Sequence, residues 1–103
     1  MSIDLIVEAE LIDPGPEMPP PGIFHGVALT HYRVLRVVEG EYSGPDLYVG
    51  HDGASRSNPA FRPGARHRLY LTRAFPEGVS VVGLEKAGPS GAYFCVRYER
   101  LDA

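Results

Sequence analysis

The chain has 103 residues, a formal charge of −3, 44% apolar residues and a single cysteine. A chain of this size forms one domain and can bury roughly two-thirds of its unfolded surface without disulfides or metals. The lone Cys95 excludes an internal disulfide and a CxxC metal or redox site; no apolar run reaches membrane-spanning length, and without a basic-then-apolar leader the expected compartment is the cytoplasm.

Residues 3–12, IDLIVEAELI, alternate. Ile3, Leu5, Val7, Ala9 and Leu11 share one face, while Asp4, Glu8 and Glu10 share the other. Period two with β-branched residues predicts a strand with one wet face. Residues 13–22, DPGPEMPPPG, follow. Their prolines remove amide donors and fix φ, so this stretch is a loop of polyproline character.

Residues 23–39, IFHGVALTHYRVLRVVE, are apolar in both phases. A strand that changes its buried face along its length needs a bulge or a bend, here at Gly26 or at Leu35–Arg36. The segment GEYSGP then turns the chain into a short strand over 46–52. Tyr32, Val34, Val37 and Val38 are expected in the core. Residues 53–65 read as a loop, because Pro59 and Pro63 forbid a long helix. Strands follow over 66–73, with Leu69 and Leu71 inward, over 79–85 and over 91–101. Twelve glycines and ten prolines suit such a succession of short strands and turns.

The fold class expected is therefore all-β: a small five- or six-stranded OB-like Greek-key barrel with little or no helix, spanning 1–103 as one domain. Closure removes the exposed edges that an open sheet of this length would carry.

Residues 32–73 resemble the tissue-inhibitor-of-metalloproteinase and netrin-like branch of the OB fold. The matching stretches are YRVLRVVEGEYSG, LYVGH and FRPGARHRLYLT. In that family a strand of type Y-x-V-x-x-V-(L/V)-x-G precedes a second strand, and a phenylalanine, a glycine turn and a strand of type Y-L-x-x-L follow. The resemblance implies the barrel. It does not imply protease inhibition, because the family's zinc-chelating N-terminal cysteine and its disulfide cysteines have no counterpart here: the chain starts Met1-Ser2-Ile3 and Cys95 is alone.

No GxSxG, P-loop, dinucleotide glycine fingerprint or HExxH is present, so catalytic residues, metal ligands and cofactors are all expected to be absent. His25, His31, His51 and His67 do not have the spacing of a zinc site and are expected as solvated side chains at strand ends. Pairing of these histidines with Ser55, Asp52 or Cys95 has no recognisable motif behind it.

Charge is uneven along the chain. Residues 1–32 carry five acids and no Lys or Arg, whereas 33–73 carry seven Arg. Two binding readings follow. In the first, the partner is another protein or a second copy, in an inhibitor-like or immunity-like role. Contacts then come from Met18 in the Pro-rich loop, Glu8 and Glu10 on the acidic strand, and Tyr42. In the alternative, Arg62, Arg66, Arg68, Tyr70 and Arg73 form a basic, aromatic strand for single-stranded nucleic acid. The acidic first strand and a pI near 5.7 weigh against the second reading.

Overall fold

The computed structural model describes residues 2–15, 26–51, 59–83, 87 and 92–101. Among these residues six strands form: β1 (Leu5–Asp13), β2 (Gly26–Glu39), β3 (Asp46–Gly50), β4 (Arg66–Thr72), β5 (Ser80–Val82) and β6 (Tyr93–Arg100), with a 3-10 turn at Pro59–Phe61. Strand order is β1-β4-β6-β3-β2-β5, and β1 also pairs with β2. That last pairing closes β1, β4, β6, β3 and β2 into a five-strand barrel, which is the all-β, OB-like architecture expected. Every pairing around it is antiparallel except β3 with β6. β5 lies outside the ring, parallel to the start of β2 through Gly26↔Ser80 to Ala28↔Val82.

The alternation of β1 is realised as read. Leu5, Val7, Ala9 and Leu11 are buried, and across the barrel they meet Tyr32, Leu47, Val49, Leu69, Leu71, Tyr93 and Cys95. Ile3 precedes the strand and is exposed.

β2 resolves its two-phase pattern with bulges, and Leu35–Arg36 is one of the sites. The register runs Glu8↔Arg36 and then Ala9↔Val34, so Leu35 is the extra residue. It runs Ile6↔Glu39 and then Val7↔Val37, so Val38 is a second. On β1, Ile12 is skipped between Leu11↔Tyr32 and Asp13↔His31. An unpaired bulge residue is turned away from the ladder. Accordingly Leu35, Val38 and Ile12 are 47%, 44% and 37% exposed. Val38, expected in the core, is thus displaced by the bulge, while Val34 and Val37 do pack on it.

The turn from β2 to β3 depends on glycine twice. Gly40 has φ 90° and Gly44 φ 98°, conformations that a Cβ makes costly. A Cβ at Gly40 would also sit 2.7 Å from the Asp4 carbonyl oxygen, whereas at Gly44 it would meet open space. Gly44→Ala is therefore expected to cost about 1–2 kcal/mol from backbone conformation alone. Gly40→Ala is expected to cost clearly more. Urea denaturation of the two variants side by side measures the difference, and equal midpoints would remove the steric argument.

Most of the Pro-rich loop 13–22, including Met18, lies outside the described residues. So do His25, Asp52, Ser55 and the first part of the loop 53–65.

Candidate functional site

Two constellations are built by the pairing registers, one outside the barrel and one inside.

The outer one crosses four strands. Register pairs Arg36 with Glu8, Glu8 with Arg68, and Arg68 with Glu99. Glu8 accepts from Arg36 Nε and Nη2, at 3.2 Å each, and from Arg68 Nε and Nη2, at 3.2 and 2.8 Å. Arg68 Nη1 lies 3.6 Å from Glu99 Oε1, and the Tyr70 hydroxyl donates to the same carboxylate at 2.6 Å. The row thus reads plus, minus, plus, minus. A neighbouring row places Arg66 3.9 Å from Glu10, and Arg97 lies over the Tyr70 ring at 4.0 Å. Hydrogen bonds from Arg36 first, and from Arg68, hold the Glu8 carboxyl below its ordinary range. The Tyr70 hydroxyl does the same for Glu99, and Glu8 in turn raises Arg68.

The residues named from sequence are distributed as follows. Arg66, Arg68 and Tyr70 share the outer face with Glu8 and Glu10, so the acidic and basic strands meet each other directly. Arg62 is exposed before β4. Arg73 stands apart at the end of β4, with its amide donating to Asp4 Oδ2 at 2.9 Å and its guanidinium 5.6 Å from the Tyr93 ring. Tyr42 is not on this face. It packs against the core beside Tyr93, and its hydroxyl donates to the Asp46 carbonyl.

Inside, Tyr32, His51 and His67 form a trio that sequence reasoning missed. His51 and His67 are buried, not solvated. The Tyr32 hydroxyl is 2.8 Å from His51 Nε2 and 2.8 Å from His67 Nδ1. A phenol has one proton, so one ring nitrogen accepts it and the other donates its own N–H to the oxygen. Phe61 and Tyr98 cover the two imidazoles, with ring centroids 4.8–5.6 Å away. Burial, with His67 adding to it, lowers the His51 imidazole to about 3, so that ring is neutral near pH 7. Burial pushes the Tyr32 phenol up and the Cys95 thiol up to about 12. The trio is thus a buried hydrogen-bonded chain in which the Tyr32 phenol and the His51 imidazole are uncharged near pH 7.

A signal for it existed. His67 lies two residues before Leu69, and His51 lies two after Val49, both in the buried phase of their strands. His31 differs. It is half-buried on the outer surface, stacked on Tyr48 at 4.7 Å and 2.9 Å from Asp46 Oδ1.

Among the described residues no group of three or more His, Cys, Asp or Glu is placed to hold a metal ion, and no helix is long and apolar enough to cross a membrane. No protein-family model, curated protein or solved structure matches the chain.

Proposed function

We propose that the protein is a non-catalytic binding module, an OB fold in its architecture, whose partner is another protein in an inhibitor-like or immunity-like role. The observation that carries this reading is the outer surface of β1 and β2. There, three bulges turn Ile12, Leu35 and Val38 into solvent beside rows of mutually neutralised charge. A polyanion is held by uncompensated positive charge, and Arg66 and Arg68 already face Glu10, Glu8 and Glu99. Exposed apolar side chains with an arginine beside them, as Arg36 is beside Leu35, match what protein partners bury. The groups best suited to chemistry, His51, His67 and Cys95, lie inside the barrel, which favours binding over catalysis.

The test is capture of a partner from the native cell by the immobilised chain, repeated with Leu35→Asp/Val38→Asp. Capture by the parent chain and a loss of affinity of about tenfold or more in the double variant are expected. Failure to capture any partner overturns the reading. So does salt-sensitive binding of a labelled oligonucleotide, which would transfer the function to the arginines of β4.

A further inference from the structure

Among the described residues, the last strand has one edge that the barrel uses only at its start. β6 pairs with β4 from Thr72↔Phe94 to His67↔Arg100, but with β3 only through Val49↔Tyr93 and Gly50↔Phe94. Beyond Phe94, no described residue pairs with its second edge. The Leu101 amide donates to the Arg66 carbonyl at 2.9 Å. Because successive residues of a strand aim their backbone groups to opposite sides, Leu101, Glu99 and Arg97 face β4, while Tyr98 and Arg100 present theirs to the open edge. Three of the exposed large apolar residues, Val96, Tyr98 and Leu101, lie on or just after this strand, at 38%, 36% and 38% exposure. Exposed edges of this kind are templates for strand pairing.

We infer that this edge pairs with β6 of a second copy of the chain, antiparallel and two-fold symmetric about Tyr98. The inference rests on the binding-module reading and adds a partner to it, at a surface distinct from Leu35 and Val38. Charge complementarity selects the partner and the register. Centred on Tyr98, the pairing sets Arg97 opposite Glu99 of the other copy, twice, and joins the outward backbone groups of Tyr98 to those of its counterpart and those of Arg100 to Val96, the residue that the β4 ladder skips. A centre at Arg97 or Glu99 would instead oppose like charges and bring together backbone groups already used by β4. The chosen register also prolongs the outer row. Arg36, Glu8, Arg68 and Glu99 alternate in sign across one barrel, and the next position is Arg97 of the second copy. A self-complementary contact of this type closes as a dimer and does not propagate.

Sedimentation equilibrium of the full chain over a concentration series tests the pairing. The parent chain is expected to dimerise. Arg97→Glu, which opposes two glutamates twice, is expected to weaken the dimer by about tenfold or more, and Arg97→Glu/Glu99→Arg is expected to restore it. Arg100→Pro removes an outward amide donor from each copy, leaves the bonds to β4 intact, and is expected to weaken the dimer by about tenfold as well. Circular dichroism melts verify that each variant is folded. A parent chain that stays monomeric at every concentration overturns the inference, and so does a dimer that Arg97→Glu and Arg100→Pro leave unchanged. A monomeric chain that still captures a partner through Leu35 and Val38 overturns the self-pairing alone and leaves the binding module standing.

Discussion

Replacing Tyr32 with phenylalanine is expected to lower the unfolding free energy by about 2–4 kcal/mol, because a buried polar group left without its partner costs about 1–3 kcal/mol. The substitution preserves the ring and its packing against Leu11 and Leu47, the register partners of Tyr32 on β1 and β3. It removes only the hydroxyl that joins His51 Nε2 to His67 Nδ1. Both nitrogens lie on buried imidazoles beneath Phe61 and Tyr98, where water is a poor replacement. Tyr48→Phe is the comparison. Its ring stacks on His31 at the surface, and loss of its hydroxyl is expected to change stability by no more than about 0.5 kcal/mol. Urea denaturation followed by circular dichroism measures both, the chain having no tryptophan. If Tyr32→Phe proves as mild as Tyr48→Phe, the bridging hydroxyl contributes nothing net, and the trio is merely tolerated.

This contrast also marks how far the residues alone carry the fold and the site. Leu5, Val7, Ala9 and Leu11 announce their strand and its buried face because a two-residue period is a local property. The bulge at Leu35 is legible for the same reason, since both phases of β2 are apolar and only an extra residue reconciles them. What was lost is whatever depends on register between distant strands. Glu8 and Arg68 lie 60 positions apart, and nothing in either strand tells which arginine the acid will meet. The acidic and basic segments therefore look like two separate binding surfaces in the sequence and become one neutralised face in the barrel. The histidines fail differently. His51 and His67 sit in buried phase, but imidazole's polarity argues for solvent unless a partner such as Tyr32 is known to be waiting inside. Polar groups enter a core when their hydrogen bonds are supplied there, and those partners come from three different strands or their ends.

Acidification from about pH 7.5 to about pH 5 is expected to cost about 2 kcal/mol of stability through His51 alone. The folded state holds this imidazole neutral, with its proton affinity depressed from the ordinary 6.5 to about 3. The unfolded chain therefore binds a proton that the folded chain refuses whenever the pH lies between those two values. This contribution is complete about one unit above 6.5 and is lost as the pH drops through 6.5 toward 3, by at most about 1.4 kcal/mol per pH unit. The carboxylates act in a lower window. Asp4, Glu8 and Glu99 are held below their ordinary values of 3.8, 4.5 and 4.5 by the Arg73 amide, by Arg36 and Arg68, and by the Tyr70 hydroxyl respectively. Their contributions are present above those ordinary values and are lost only at more acid pH. The interval above about pH 5 thus isolates buried imidazole from carboxylate. His51→Gln is expected to lower stability at neutral pH and to flatten the profile in that interval, as read from urea midpoints taken at each pH. A parent profile already flat there would mean that His51 gains its proton while the barrel stays folded. That requires water to reach the ring past Tyr98, whose strand has no partner among the described residues on one edge beyond Phe94, and the trio would then be a solvent-linked site in place of a sealed one.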